Sequence, residues 1–332
     1  MEIYKKEVVK KANMGKVKDA SKALALMRKE ISKVFFGQEK IVDSLLRALL
    51  CNGHILLEGV PGIAKTLLIK TLAEVSGCSF KRIQFTADLL PSDIVGITAY
   101  DPKKGFEVIK GPIFSNFIIA DEINRSPPKT QSALIEAMQE GQVTIGSTTY
   151  PLPTPFFVMA NQNPIETEGV YALPEAQIDR FLFKILMEYP DDKSELHVME
   201  ENATFKKFED YKINSIVTAE KIKLMQQLTH EIYLDEKIKD YILAIIKKTR
   251  DKKFKYGEYI DLGCSPRGSI ALYIGAKAEA LVNGRNFVIP SDVKAVAKDI
   301  LRHRIILAYK AQADKITPEI IIEEIFKEVH AK

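Results

Sequence analysis

Short runs rich in apolar residues alternate with amphipathic stretches through the first 190 residues of the chain. The runs are Ile55–Leu57, Phe80–Phe85, Phe117–Ala120, Phe156–Ala160 and Phe181–Met187. Runs of this length are typical of strands that are buried on both faces of a parallel sheet. Helical patterns lie between them, and Ser126–Pro127 supplies the N-cap and first-turn proline of one such helix. The pattern predicts an α/β layered fold.

Two helices precede the first strand, and two later segments do not fit a minimal α/β core. Apolar residues at helical spacing predict helices over Ala20–Val34 and Gln38–Cys51, before the first strand. The turn sequence DPKKG at Asp101–Gly105 separates two strand-like segments, and Gly141–Pro153 alternates around a central glycine. Both patterns are typical of β-hairpins. We therefore expect two hairpins inserted between the strands of the sheet.

From residue 215 onward the apolar spacing is helical throughout. The predicted helices are Ala219–Leu228, Asp235–Lys248, Pro266–Leu281, Pro290–Tyr309 and Pro318–Val329. A charged, aperiodic stretch precedes them, and residues 1–20 are rich in lysine and predict a frayed or loosely helical arm. The predicted organisation is an arm (1–20), an α/β core (21–190), a linker (191–214) and a helical domain (215–332).

Composition narrows the class of protein. A chain of 332 residues with 46% hydrophobic and 28% charged residues predicts a soluble protein of two domains. The net charge of +4 is spread along the chain and gives no argument for a nucleic-acid or membrane partner. Three cysteines without metal-ligand spacing suggest a reducing compartment, and neither a signal peptide nor a membrane-length apolar run occurs. We expect a cytoplasmic protein with no membrane insertion.

The turn after the first predicted strand carries the strongest chemical signal. The strand runs into a glycine-bearing turn that opens a helix predicted from Thr66 to Val75. Turn N–H groups and a helix N-terminus together bind phosphate, so we expect a nucleoside triphosphate here. Lys65 would reach the β- and γ-phosphates, and the Thr66 hydroxyl would bind Mg²⁺. The predicted nucleotide-binding segment is Gly59, Val60, Pro61, Gly62, Ile63, Ala64, Lys65, Thr66 and Leu67.

Polar side chains also end two later strands. Asp121 and Glu122 follow Phe117–Ala120, and we expect Asp121 to bind the metal and Glu122 to activate a water molecule. The next strand ends in two asparagines, Asn161 and Asn163. An amide at this edge of the sheet could donate a hydrogen bond to the γ-phosphate, although asparagines at strand ends also shape turns. The residues alone leave both asparagines open as candidates.

These motifs resemble those of the AAA+ ATPases and, within them, of the MoxR family, over residues 34–304. The segments that carry the resemblance are GVPGIAKT, FTADLLPSDIVG, GPIF, ADEINRSPPKTQSALIEAMQE, ANQNPIETEGVYALPEAQIDRF and CSPRGS. The resemblance implies a P-loop αβα three-layer core with a parallel five-stranded sheet, two hairpin insertions and an all-α lid domain. Ala64 departs from the strict phosphate-loop pattern, which has glycine there, but the family often has alanine.

The resemblance also implies roles for individual residues. It favours Asn163 over its neighbour as the sensor 1 residue, and it identifies Arg267 as sensor 2, which contacts the γ-phosphate from the lid. Gly37 and Gln38 resemble the segment that lines the adenine. Arg180 matches the arginine finger, which reaches the nucleotide of a neighbouring subunit; the alternative is an ordinary salt bridge with an acidic neighbour on the same turn.

The function implied is an ATPase that couples Mg-ATP hydrolysis to the remodelling, activation or metal or cofactor loading of partner proteins. The resemblance implies a homo-oligomer, expected to be a hexameric ring with Arg180 acting in trans, and clients with von Willebrand factor A domains. Alternatives are the ATPase subunit of a metal chelatase, a DNA-dependent motor, and a nucleotide-gated scaffold without turnover. Residues Gly141–Pro153 contain no lysine or arginine, which disfavours a nucleic-acid partner.

Overall fold

The computed structural model describes residues 12–59, 65–163, 169–189, 191–202 and 208–331. The helices are α1 Met14–Ile31, α2 Glu39–Leu50, α3 Lys65–Val75, α4 Pro91–Val95, α5 Pro128–Glu140, α6 Glu175–Ile178, α7 Asp192–Asn202, α8 Ala219–Glu231, α9 Glu236–Lys248, α10 Pro266–Val282, α11 Pro290–Leu301, α12 Tyr309–Ala313 and α13 Pro318–Glu328. The strands are β1 Ile55–Gly59, β2 Phe80–Gln84, β3 Gly96–Asp101, β4 Gly105–Lys110, β5 Phe117–Asp121, β6 Gln142–Ile145, β7 Thr148–Pro151, β8 Phe157–Gln162, β9 Phe183–Met187, β10 Ile260–Leu262 and β11 Ile306–Leu307.

A parallel sheet of five strands in the order β2-β5-β8-β1-β9 forms the centre of the described structure. Each of the five predicted apolar runs contributes one strand, so the predicted parallel sheet is confirmed. In the register of the sheet, Ile55 of β1 lies opposite Met159 of β8 on one side and Phe183 of β9 on the other. Because the strands are parallel, the carboxyl ends of β1, β5 and β8 meet at one edge of the sheet.

Successive residues of the three central strands, β1, β5 and β8, enter two different apolar cores. Leu56 packs with α5 in the smaller core, whereas its neighbours Ile55 and Leu57 belong to the larger one. The larger core continues from this face of the sheet through α1, α2 and α3 into the helices after residue 215. The α/β core and the helical C-terminal part are therefore joined by a shared apolar interior.

Both predicted hairpins are present. Strands β3 and β4 pair antiparallel around the 101–105 turn, and β6 pairs with β7 around Gly146. The glycine has a positive φ of 63°, a conformation that glycine adopts without steric penalty. The hairpins extend from the α/β core on the side of α4 and α5.

Three local expectations differ from the structure. Helix α1 begins at Met14, and Val17 and Ala20 are buried, so the end of the predicted loose arm is packed helix. Helix α11 ends at Leu301, not Tyr309, because the chain turns there to place the Arg304 guanidinium among backbone carbonyls. The following residues form β11, which pairs with β10, and α12.

The predicted linker between the two parts also contains helical structure. Helix α7 occupies its first half, and a 3₁₀ turn follows at Phe208–Tyr211. The charged composition concealed this helix, since its pattern lacks an apolar face. In the part of the chain that the structure describes, no helix is long and apolar enough to cross a membrane.

Candidate functional site

The predicted phosphate-binding residues surround the carboxyl end of β1. Gly59 ends β1, and Lys65, Thr66 and Leu67 form the first turn of α3. The intervening predicted residues Val60, Pro61, Gly62, Ile63 and Ala64 lie outside the described residues. The predicted helix from Thr66 to Val75 therefore begins one residue earlier than expected, at Lys65.

Gly59 is a point of close backbone approach. A Cβ atom at this position would lie 2.7 Å from both the Cβ and the carbonyl oxygen of Met187 on the neighbouring strand β9. The Lys65 ammonium group donates a 2.5 Å hydrogen bond back to the Gly59 carbonyl. Burial lowers the pKa of Lys65, and the nearby carboxylates of Asp121 and Glu122 partly oppose this shift. Lys65 thus lies at the same edge of the sheet as both carboxylates, within range of their electrostatic influence.

Both carboxylate oxygens of Asp121 accept hydrogen bonds. The Arg82 guanidinium on β2 donates to Oδ2 at 2.9 and 2.5 Å, and the Asn161 side-chain amide donates to Oδ1 at 2.5 Å. Charge-assisted bonds of this kind fix the orientation of the carboxylate. Asp121 is therefore held by a side chain from each neighbouring strand.

Glu122 has a left-handed backbone, with φ at 56°. This conformation is strained for a residue with a side chain, and such strain is common at functional sites. The Glu122 N–H donates a 2.7 Å hydrogen bond to Asn161 Oδ1, which stabilises the turn. Its carboxylate Oε2 accepts a hydrogen bond from Gln84 at 2.8 Å and forms an ion pair with the Arg125 guanidinium at 3.0 Å. Glu122 is thus fixed through both its backbone and its side chain.

The two asparagines of β8 and its end differ in position. Asn161 is 3% exposed, and its side chain joins Asp121 to the Glu122 backbone. Asn163 is also buried and follows the last residue of β8 at the same sheet edge. The Asn161 side chain therefore orients the two acidic residues, and the assignment of sensor 1 to Asn163 stays a prediction.

Arg180 and Arg267 both lie near Asp179: Arg180 follows it in the chain, and the Arg267 side chain approaches its carboxylate. The Arg180 side chain is exposed and has no hydrogen bond or ion pair to another described residue. Asp179 instead accepts hydrogen bonds from Ser265 and Arg304, and Arg267 approaches it at 3.5 Å. The alternative of a simple salt bridge for Arg180 therefore has no support among the described residues.

A cavity of about 510 Å³ lies between the 37–41 segment and the end of β9. Gly37 and Gln38 line it, together with Leu186 and Tyr189. The Gln38 amide nitrogen donates to the Glu188 carbonyl at 3.2 Å, whereas its Oε1 atom is buried without a hydrogen-bond partner in the described structure. The predicted adenine-lining residues thus border an open space, and one of them has a buried acceptor without a partner among the described residues.

The donor set suits Mg²⁺ that is bound together with phosphate. Among the described residues, no group of three or more histidine, cysteine, aspartate or glutamate side chains could hold a metal ion. Mg²⁺ needs only one or two protein oxygens when phosphates supply others. The predicted Mg²⁺ ligands are Asp121, at the end of β5, and Thr66, in the first turn of α3.

Sequence reasoning missed several residues that orient the site. These are Arg82, Gln84, Arg125 and Asp179, and the positioning role of Asn161. Gln84 could have been found, because it ends a strand that pairs with β5 and must therefore lie beside Glu122. The others depend on side-chain directions that a linear pattern does not contain.

Comparisons with known proteins agree with this site. Residues 54–183 match the ATPase family associated with various cellular activities (AAA), and residues 257–325 match the AAA lid domain. Chaperone MoxR1 of Mycobacterium tuberculosis is 44% identical over 306 residues, covering 90% of this chain and 80% of that protein. Protein YeaC of Bacillus subtilis is 46% identical over 300 residues, covering 90% of this chain and 92% of YeaC. A crystal structure from Cytophaga hutchinsonii matches with a TM-score of 0.88 at 47% identity, covering 96% of this chain and 97% of that chain.

Proposed function

The chain belongs to the MoxR family of AAA+ ATPases, and we propose that it uses Mg-ATP hydrolysis to remodel, activate or load partner proteins. The fold, the ATPase activity and the chaperone-like class follow from the family. The observation that carries the mechanism is the meeting of Lys65, Asp121 and Glu122 at one edge of the sheet. One cation and two carboxylates in this arrangement suit the binding of a triphosphate and the activation of water.

In this proposal each residue has one task. Lys65 leaves the Gly59 carbonyl to contact the β- and γ-phosphates, and Glu122 polarises the attacking water. Thr66 and Asp121 would hold Mg²⁺, which supplies charge neutralisation between the phosphates. Asn163 would donate to the γ-phosphate from the end of β8.

The base is assigned to the cavity beside Gln38. Leu186 and Tyr189 provide apolar and aromatic surface there, and the buried Gln38 Oε1 lacks a partner. An acceptor without a partner costs free energy unless the ligand brings a donor. The exocyclic amine of adenine is such a donor, whereas guanine presents a carbonyl at the same ring position. A bound adenine could satisfy this acceptor, which supports our proposal that the nucleotide is ATP and not GTP.

We further propose that Arg180 completes the site of a neighbouring subunit. Its guanidinium is exposed and makes no hydrogen bond or ion pair with a described residue. A side chain that contacts the nucleotide of another subunit needs such accessibility. An arginine fork suits the charge that develops on the γ-phosphate. Activity then requires a ring of subunits, for which six is the family expectation. The division into core, linker (191–214) and lid remains part of this proposal.

Protein clients fit the surface better than nucleic acid does. The hairpin β3–β4 exposes large apolar side chains, with Tyr100 at 66% and Phe106 at 80% exposure, stacked edge to face at 5.2 Å. Exposed apolar surface on this scale is typical of protein contacts. The second hairpin carries no cationic residue between Gly141 and Pro153. We propose von Willebrand factor A domains as the clients, and the β3–β4 hairpin as the part that contacts them.

The client proposal is tested with the Glu122→Gln variant, which is expected to bind ATP without hydrolysing it. A purified von Willebrand factor A domain protein from the same organism should bind this variant in Mg-ATP and dissociate in Mg-ADP. Adding Phe106→Ala should weaken binding at least tenfold, whereas Thr144→Ala, on the polar hairpin, is the matched control. Equal binding in both nucleotides, or stimulation of hydrolysis by DNA instead, would overturn the proposal.

A further inference from the structure

One buried arginine of the lid makes hydrogen bonds to the turn that carries Arg180. Arg304, just beyond α11, has a side chain that is 2% exposed. Its guanidinium donates to the Asp179 carboxylate at 2.9 Å and to the Asp179 carbonyl at 3.0 Å. It also donates to the carbonyls of Phe181 at 2.7 Å and Leu182 at 3.0 Å. These hydrogen bonds therefore hold the backbone on both sides of residue 180.

Two neighbours in the lid strengthen this attachment. His303 makes a 3.1 Å hydrogen bond to the Phe181 carbonyl through Nε2. Ser265, the N-cap of α10, donates to the second oxygen of the Asp179 carboxylate at 2.9 Å. The turn is therefore bound to both the start of α10 and the end of α11. The Arg180 side chain itself remains exposed, so the lid holds the backbone from which this side chain extends.

Asp179 also connects this turn to Arg267, the predicted sensor 2 residue. The Arg267 guanidinium lies 3.5 Å from Asp179 Oδ2 and is 47% exposed, whereas the Arg304 and Ser265 bonds are 2.9 Å long. A movement of Arg267 toward a nucleotide phosphate would give up the long contact and keep the short ones. The turn that carries Arg180 would then stay bound to the lid.

We propose that Arg304 is a positioning residue that makes Arg180 move with its own lid, so that the nucleotide state of one subunit is relayed to the site of its neighbour. This inference rests on the proposed action of Arg180 in trans. A lysine could not replace Arg304, because a single ammonium group cannot donate to a carboxylate and three carbonyls in different directions.

The test uses mixed rings of two inactive parents. Glu122→Gln subunits keep a normal Arg180 and are donors; Arg180→Ala subunits keep a normal hydrolytic site and are acceptors. Mixing them one to one should restore hydrolysis at about a quarter of the interfaces of a head-to-tail ring. A failure of these parents to complement would refute the action of Arg180 in trans, and with it the proposed function of that residue.

Arg304→Lys is then added to the donor, where we expect the restored activity to fall at least tenfold. The same substitution in the acceptor should reduce activity much less, because there the arginine finger comes from the other chain.

The Arg304→Lys donor must still bind a fluorescent ATP analogue, which shows that it is folded. If it does not bind, Asp179→Glu is used as the donor substitution instead, because it keeps the charges of both Asp179 and Arg304 but displaces the turn. Arg302→Lys is the matched control, since Arg302 binds Asp299, Glu319 and the Lys184 carbonyl and not this turn. Equal complementation by Arg304→Lys and Arg302→Lys donors, or equal losses on the donor and acceptor sides, would overturn the inference.

Discussion

Replacing Asn161 with alanine should damage stability and catalysis together. The side chain is 3% exposed and makes two hydrogen bonds, from the Glu122 N–H at 2.7 Å and to Asp121 Oδ1 at 2.5 Å. Alanine leaves a backbone donor without its partner in a strained left-handed turn. An unpaired buried donor costs about 1–3 kcal/mol, and a hydrogen bond to a charged group contributes about 1.5–3 kcal/mol.

The contribution of the hydrogen bond to Asp121 should be smaller than the upper limit of about 3 kcal/mol. The Asp121 side chain is 14% exposed and keeps its hydrogen bonds from Arg82. In the variant, water can therefore replace part of the stabilisation that the Asn161 amide provides. We therefore expect a loss of about 3 kcal/mol in the free energy of unfolding. For a chain of this size, that corresponds to a fall in melting temperature of roughly 6 °C.

The assay combines thermal unfolding with steady-state ATP hydrolysis. Asn161→Ala should lower both the melting temperature and kcat, because Asp121 and Glu122 lose their common support. Asn163→Ala is the control: as a residue proposed to contact the γ-phosphate, it should lower kcat with a smaller change in melting temperature. An Asn161→Ala protein with unchanged melting temperature and unchanged kcat would refute the positioning role of Asn161.

Three further predictions follow from buried or closely packed groups. Burial lowers the pKa of His54 to about 4, so protonation of the unfolded chain near its ordinary pKa of about 6.5 removes stability as the pH falls. Between pH 7 and pH 5 the loss should be about 2 kcal/mol, and a His54→Gln protein, measured by urea unfolding at both pH values, should lose correspondingly less. Equal losses in both proteins would contradict this. Gly59→Ala should destabilise the protein by about 1–3 kcal/mol and weaken ATP binding, because its Cβ would overlap Met187; normal thermal unfolding and normal affinity would count against that close packing. Gln84→Ala should lower kcat about tenfold with a smaller change in ATP affinity, since Gln84 donates to the Glu122 carboxylate and accepts from Arg82, which also holds Asp121; an unchanged kcat would show that Arg125 alone suffices to orient Glu122.

The sequence predicted the parallel sheet because each strand is a short apolar run between helical patterns. Leu56 and its neighbours Ile55 and Leu57 are all buried, on opposite faces of the sheet, as the continuous run implied. The hairpin at Asp101–Gly105 was equally predictable, because its turn residues have specific backbone preferences. Local chemistry of this kind can be read directly from the chain.

The end of α11 could not be predicted in the same way. The apolar spacing continues past Leu301, but the helix stops because Arg304 finds a carboxylate and three carbonyls near Asp179, more than a hundred residues earlier. Likewise, the residue types at Asn161 and Asn163 are identical, and only the fold shows that the first joins Asp121 to Glu122. Long-range polar contacts decided what local patterns left open.

The central claim, a hydrolytic site completed by a second subunit, is tested most directly by measuring ATP hydrolysis against protein concentration. Wild type, Glu122→Gln and Arg180→Ala would be compared, with ATP binding measured for each. We predict that wild-type activity per subunit rises with concentration, and that both variants bind ATP but lose hydrolysis. Activity that is independent of concentration and insensitive to Arg180→Ala would contradict the claim.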